Sequence, residues 1–227
     1  MHRCAIVLLG IAASAAPFLA AANQMDTVLD RVDKAGAAFK ALSAHVRRIA
    51  HTAAINEDNE DNGTILLKRV HSRDVRMLIE VSDPDARTVA FQGHKLEVYY
   101  PKIQTVQEFD VGKSRDLLEQ FFLLGFGTSR ADLLNSYNLR LLGQETVADA
   151  KTERIEMIPK SKEVLQYLTK VELWVAGSGY PVQQKFFLKG GDYQLATYSD
   201  VKINPELQDA ALKLHLPKNV KREFPQK

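Results

Sequence analysis

The sequence predicts an α+β fold that is mainly antiparallel β: one large, curved, unclosed sheet, a half-barrel, with helices covering its concave face. Three observations carry that expectation. The first is residues 171–204, three extended segments cut by turns at Gly177, Gly179 and Pro181 and at Gly190, Gly191 and Asp192. Side chains alternate across a strand, so residues two apart share a face. Tyr193, Leu195, Thr197, Ser199, Val201 and Ile203 therefore fall on one side, and Gln194, Ala196, Tyr198, Asp200 and Lys202 on the other. Such alternation beside glycine-rich turns is the mark of an antiparallel meander. The second is a series of short segments at the same spacing earlier in the chain. The third is a set of helical stretches whose apolar sides need a surface to cover.

The chain has 227 residues, 45% hydrophobic and 26% charged, which suits one folded domain if that domain is mostly β. Its formal charge is +2, with both signs interspersed and no basic face interleaved with aromatics. That argues against a nucleic-acid partner. Residues 1–22 have the layout of a secretory signal peptide: a short basic start, an apolar run over 5–13, and small residues at Ala20, Ala21 and Ala22. The apolar run is too short for a spanning helix. Cleavage is expected after Ala22, leaving a single domain over 23–227; an uncleaved apolar anchor is the alternative. The only cysteine, Cys4, leaves with the leader. The mature chain then has no disulfide, no thiol nucleophile and no acylated anchor, and a bacterial periplasm is its expected compartment.

In residues 25–42 the apolar Met25, Val28, Leu29, Val32, Phe39 and Leu42 recur at helical steps, with Asp26, Asp30, Asp33, Lys34 and Lys40 between them. That is an amphipathic helix. Residues 43–55 change to a strand-like period and are followed by Asn-Glu-Asp-Asn-Glu-Asp-Asn-Gly. Asp58, Glu60, Asn62 and Gly63 resemble the start of a calcium loop, yet the position of its final acid holds Arg69. A solvated hairpin tip is expected there instead. Strands follow at 64–71, 75–81, 87–92, 95–100 and 103–111, with turns at Ser82-Asp83-Pro84-Asp85 and Gln92-Gly93-His94. Residues 113–124 place Leu117, Leu118, Phe121, Phe122 and Leu124 at helical spacing, and Gly125-Phe126-Gly127 breaks the pattern. Ser129, with Asp132 after it, reads as the N-cap of a second short helix reaching Ser136. Strands resume at 137–147 and 152–158, and 161–167 is a short helix or turn. Asn204-Pro205 ends the last long strand, and Leu212, Leu214 and Leu216 alternate once more before a basic tail.

About eleven strands in one sheet twist and curl, which gives the sheet a concave face. Apolar groups stand on both faces in places: Phe186 and Leu188 on one side, Phe187 on the other. Two interiors satisfy this pattern, a filled core and a partly open apolar cavity of the lipid-binding kind. Catalytic constellations are missing. His45, His51, His71, His94 and His215 show no metal-site spacing, and Gly177-Ser178-Gly179 follows Ala176 where a nucleophile elbow needs glycine. Gly125-x-Gly127 lacks the rest of a phosphate loop. No enzyme, metal or cofactor is expected.

Three stretches carry a resemblance. They are Gly63-Thr64-Ile65-Leu66-Leu67-Lys68-Arg69; Gln92-Gly93-His94-Lys95-Leu96 with Tyr99 and Pro101; and Asn204-Pro205 with Asp209-Ala210-Ala211 and Leu216-Pro217. In order and spacing the chain resembles the periplasmic outer-membrane lipoprotein carriers, the LolA-like family, over essentially its whole mature length. It departs from them at Val70, where they usually have proline, and at Glu97, where they often have an aromatic. The resemblance implies an unclosed barrel capped by helices, and a carrier that shields lipoprotein acyl chains, or a related lipid, between inner and outer membrane. It implies an inner-membrane releasing complex and an outer-membrane acceptor as partners; a monomer is expected. It also implies that the arginine of the Lys-Arg pair, Arg69, faces the cavity and ties to the lid. Arg69 shares a face with Ile65 and Leu67; from the residues alone its head lies either inside or in solvent. Leu118, Phe121, Phe122, Leu124 and Phe126 are the expected lid and cavity residues, with Gly125 and Gly127 as hinge. A lipid or lipoprotein sensor or scaffold on the same fold, and a carrier of a free glycolipid or polycyclic terpenoid, are the alternatives.

Overall fold

A computed structural model describes residues 16–71 and 74–225. Cys4 and residues 5–13 of the expected leader lie outside the described residues. The first half of the chain is α1 (Ala16–Ala38), β1 (Ala41–Thr52), β2 (Glu57–His71), β3 (Asp74–Asp83), β4 (Arg87–Gln92), β5 (Lys95–Tyr100) and β6 (Thr105–Asp110). Two helices follow, α2 (Arg115–Leu123) and α3 (Arg130–Ser136). The second half is β7 (Tyr137–Val147), β8 (Ala150–Pro159), β9 (Leu168–Ala176), β10 (Pro181–Leu188), β11 (Tyr193–Ile203) and β12 (Lys221–Glu223).

All twelve strands form one sheet in the order β12-β6-β5-β4-β3-β2-β1-β11-β10-β9-β8-β7. Two meanders are thus joined where β1 lies against β11, and the sheet stays unclosed between β12 and β7. Every pairing is antiparallel except that of β12 with β6. The architecture is the mainly antiparallel, unclosed sheet with helical cover that the sequence predicts.

The helices lie on one face, here called inner. Val28, Leu29 and Val32 of α1 pack with Leu133 of α3 and with Ile155, Met157, Val171, Leu173 and Val175 of β8 and β9. A second inner cluster joins Phe39, Leu42, Leu67, Met77 and Phe91 to Phe126 and Tyr198. The helix expected over 25–42 ends earlier, at Ala38, and Leu42 is a fully buried strand residue. The cause is Asn204. Its backbone is left-handed (φ 55°), a conformation asparagine tolerates. Its side chain donates to the Ala38 carbonyl (2.9 Å) and accepts from the backbone N–H groups of Lys40 (2.6 Å) and Ala41 (3.1 Å). One amide thereby caps the helix and starts β1.

Three expectations are corrected. The acidic stretch after Asn56 is not a hairpin tip but the first part of β2. Arg47 meets Glu60 (2.7 Å), Arg48 meets Asp61 (2.9 Å) and His51 meets Asp58 (2.8 Å), so the carboxylates are consumed as cross-strand pairs. The turn falls earlier, at residues 53–56, with Asn56 at φ 51°. In β11 the face assignment fails beyond Ser199. Asp200 has φ 49°, and the register against β1 jumps from Ser199 opposite His45 to Lys202 opposite Ser43. This bulge reverses the alternation, so Ile203 joins Ala196 and Tyr198 inside. Finally, Leu212, Leu214 and Leu216 form no strand. Asp209 is held by Lys68 (2.8 Å) and Arg76 (2.7 Å), which presses the following turn onto the outer face, where Leu212 packs on Leu78 and Ala90. The tail then runs parallel to β6, with Lys221 opposite Thr105.

The outer face of β7–β9 is an ion-pair ladder. Glu172, 1% exposed at its side chain, accepts from Lys170 (2.6 Å) and Arg154 (3.0 Å). Glu156 accepts from Lys170 (3.1 Å) and Arg140 (3.0 Å), and Trp174 donates to Glu145 (2.6 Å). Burial alone would raise the Glu172 pKa, but its bonds to Lys170 and Arg154 outweigh burial and hold it below the usual 4.5. Asp61 is likewise held below 3.8 against burial by Arg87 and Arg48. Depressed carboxylate pKa values contribute stability above the unfolded pKa, and that stability is lost as pH falls through the folded pKa. The thermal midpoint is therefore expected to be level from neutrality to about pH 5 and to drop below about pH 4. Glu172→Gln should lower the midpoint at neutral pH and flatten the acid limb in calorimetry; a midpoint that rises on acidification would refute the assignment.

Candidate functional site

The segment between β6 and β7 lies across the inner face. In α2, Leu118, Phe121 and Phe122 share the side that meets the sheet, while Arg115 and Glu119 pair along the helix at 2.9 Å. Ser129 and Asp132 form the expected capping box at the start of α3, with the Asp132 N–H donating to the Ser129 hydroxyl (3.1 Å). Between the helices Gly125 adopts φ 78°. A side chain at Gly125 would be strained and would press on Pro181, and one at Gly127 would strike the Arg69 guanidinium and Leu123.

The residues singled out from the sequence divide between the two inner clusters. Ile65, Leu67, Leu118, Phe122 and Phe126 belong to the second, where the Phe122 ring lies 5.1 Å from that of Phe91. Leu124 and Phe121 belong to the first, Phe121 edge-on to Phe186 at 6.2 Å. Phe126 is 2% exposed. Its ring meets Tyr198 (5.3 Å), Tyr180 (6.2 Å) and Phe39 (6.2 Å). The chain's own aromatics thus fill the space beneath the α2–α3 segment in this conformation.

Four backbone carbonyls in this region accept from side chains of the sheet and of the turn before β10. Arg69 donates to the Gly127 carbonyl and to that of Gly36 (3.3 Å), with its guanidinium 5.6 Å from the centre of the Phe39 ring. Burial lowers the Arg69 pKa from its ordinary value, while Asp132 and Tyr180 act against that shift. Tyr180 donates to Ala35 O (2.9 Å). Gln184, 4% exposed, donates to Leu124 O (2.6 Å) and accepts from the Tyr198 hydroxyl (2.8 Å). Burial drives the Tyr198 pKa far up, so the phenol stays protonated and can donate. Sequence reasoning missed Phe39, Tyr180, Gln184 and Tyr198 as parts of this site. One signal was present: Gln184 shares a strand face with Phe186 and Leu188, an amide on an apolar face that must find partners.

A cleft of about 510 Å³ opens beside these bonds, lined by Asp33, Arg69, Asp116, Glu119, Thr128 and Asp132 among others. Among the described residues no group of three or more His, Cys, Asp or Glu side chains is placed to hold a metal ion.

No family model matches the chain, and no curated protein matches it in sequence. Solved structures do. A conserved protein from Thermus thermophilus superposes with a TM-score of 0.53 at 15% identity, covering 88% of this chain and 99% of that one. The lipoprotein LppX of Mycobacterium tuberculosis gives 0.51 at 15% identity over 82% and 99%. MucB gives 0.52 at 16% over 88% of this chain; the match spans 66% of MucB. These likenesses show the fold alone, an unclosed sheet under a helical cover. In this chain Arg69 stands on the inner face with its head under that cover.

Phe126→Ala should cost about 3–5 kcal/mol in urea unfolding, because the ring is buried among three others. A loss under about 1 kcal/mol would mean that the pocket collapses on itself and that Phe126 does not fix the segment.

Proposed function

We propose that this protein is a periplasmic carrier, a chaperone that shields acyl chains of lipoproteins or of a related lipid beneath the α2–α3 segment as they pass from inner to outer membrane. The observation that carries this reading is the nature of the cover. It is tied to the sheet by hydrogen bonds from Gln184 to Leu124 O and from Arg69 to Gly127 O, on either side of Gly125-Phe126, and plugged by aromatic side chains. Lifted at those glycines, it would uncover an apolar wall including Leu67, Met77, Phe91 and Phe186. The site is the one outlined from the sequence: Arg69, Ile65 and Leu67 on the wall, Leu118, Phe121, Phe122, Leu124 and Phe126 on the cover. The domain is residues 23–227 after removal of the leader, and the reaction class is binding and release, without catalysis. An inner-membrane releasing complex and an outer-membrane acceptor are its partners.

The energetics suit reversible loading. Burying an acyl chain of about sixteen carbons gives on the order of 10 kcal/mol before entropic losses, at ~0.8 kcal/mol per methylene. A rigid open cavity would hold such a chain too firmly to deliver it. A cover that must first be displaced subtracts its own closing free energy from the affinity.

Two variants test this in opposite directions. Phe122→Asp places a charge on the buried side of α2 and should abolish lipid co-purifying with the periplasmic protein, read by mass spectrometry. Arg69→Leu removes the donors to Gly127 and Gly36 and biases the cover open, so lipid retained per protein should rise, by about tenfold for each 1.4 kcal/mol of closing free energy lost. Unchanged lipid recovery in both variants would sink the carrier reading.

A further inference from the structure

Large apolar side chains left in water are unevenly distributed on this molecule. Eight stand exposed among the described residues, and five of them, Ile55, Ile103, Leu134, Ile158 and Tyr167, gather at one end of the sheet. The registers place them there. Thr52 lies opposite Glu57 beside the turn that holds Ile55, and Tyr100 lies opposite Thr105 beside the turn that holds Ile103. Tyr137, just after Leu134, lies opposite Pro159, just after Ile158; Leu168, just after Tyr167, lies opposite Leu188. Antiparallel neighbours alternate direction, so all of these turns share one end. The opposite end carries the β4–β5, β7–β8 and β9–β10 turns, built from Gly93 and His94, Ala148 and Asp149, and Gly177 to Gly179; none of the eight lies in them. Ile55, Ile103 and Tyr167 are 63%, 67% and 67% exposed, at the tips rather than the flanks of their loops.

The same end is basic where β8 passes to β9. Lys160 and Lys162 lie on that connection, Lys189 on the adjoining β10–β11 turn, and Glu163 is the acid among residues 160–167. The Lys160 ammonium donates to the Leu134 carbonyl (2.6 Å), and the Lys189 N–H donates to the Tyr167 carbonyl (3.3 Å), so Lys160 stands beside Leu134 and Lys189 beside Tyr167. Asp192 is turned away, accepting from the Ala53 N–H at 2.8 Å. Several lysines elsewhere on the sheet are instead paired with carboxylates, as Lys68 is with Asp209, Lys95 with Glu108 and Lys170 with Glu172.

We propose that this end of the sheet docks on an anionic bilayer surface. Tyr167, Ile158 and Leu134 enter the headgroup layer, and Lys160, Lys162 and Lys189 meet lipid phosphates. Charge complementarity selects an anionic partner, since lysines beside a membrane surface are drawn to acidic lipids. The spacing of the tips selects a soft one. They stand on separate loops without a contiguous apolar face, whereas a stable protein partner needs about 800 Å² of complementary surface on each side. Tyrosine at the edge of such a patch fits the polar–apolar boundary of a bilayer. Behind the patch, Leu168 and Leu188 begin the inner apolar cluster. The inference concerns where the molecule stands and does not depend on what its interior carries.

The test is flotation of the purified full chain with vesicles. Binding is expected to phosphatidylglycerol-containing vesicles at low salt, to be about tenfold weaker on pure phosphatidylcholine, and to fall at high salt as the surface charge is screened. Lys160→Gln/Lys162→Gln/Lys189→Gln and, separately, Tyr167→Ser should each weaken binding by about tenfold or more, while Leu142→Ser and Val201→Ser, exposed away from this end, should leave it unchanged. Circular dichroism checks that each variant is folded. Equal binding to neutral and anionic vesicles, parental binding by the lysine variant, or no binding by the parent would each overturn the proposal.

Discussion

A backbone carbonyl inside an apolar interior must find a donor, and the segment joining α2 to α3 has neither helix nor ladder to supply one. Leaving such a group unsatisfied costs about 1–3 kcal/mol. The structure answers with side chains from beneath: Gln184 reaches Leu124 O and Arg69 reaches Gly127 O, while at the end of α1 Arg69 also reaches Gly36 O and Tyr180 reaches Ala35 O. Arg69 belongs to β2 and Gln184 to β10, which stand on either side of the β1–β11 seam in strand order. The clasp therefore exists only after the two meanders have joined, and the position of the cover reports the assembly of the whole sheet.

The two faces of the sheet are built from different forces. The outer face is locked by charge-assisted pairs whose members sit on adjacent strands, such as Arg140 with Glu156 and Arg154 with Glu172. Such pairs are directional and resist sliding of one strand past another. The inner face is packed by aromatic and aliphatic side chains, whose attraction follows area and tolerates rearrangement. Stiffness thus lies outside and adaptability inside. On the carrier reading proposed above, a wall that keeps its curvature while its lining is exchanged would need that division.

Much of the fold is legible in the sequence because local pattern and tertiary role agree. β4, β5 and β7 begin and end where alternation and turn residues place them, and the Ser129–Asp132 capping box is where its spacing puts it. What was not legible has a physical cause in each case. The bulge at Asp200 is one residue in a left-handed conformation within an otherwise regular alternation, and nothing local marks it. The acidic half of β2 reads as a turn until its carboxylates are set against Arg47 and Arg48 of the neighbouring strand. The three residues of β12 are too few to carry a period, and their pairing with β6 joins positions about half the chain apart. Of the candidate site, the aromatic cover and Arg69 follow from spacing and resemblance. Gln184 and Tyr198 act through a bond between β10 and β11, which only the folded sheet brings to 2.8 Å.

Hydrogen bonds and apolar plugs make unequal contributions to holding the cover shut. Were the cover to lift as the proposed function requires, the carbonyls of Leu124 and Gly127 and the donors of Gln184 and Arg69 would pass from each other to water, so each bond would give up only about 0.5–1.5 kcal/mol net. Phe126 and Leu124 instead lose their full transfer energy unless another apolar surface replaces the wall they leave. A bound hydrocarbon is such a surface for the wall, but not for the cover. The polar clasp therefore sets the geometry to which the cover returns, while the apolar plug sets how strongly it competes for the wall. Gly127 ties the two together: a side chain there would meet Arg69 and displace the clasp and the plug at once.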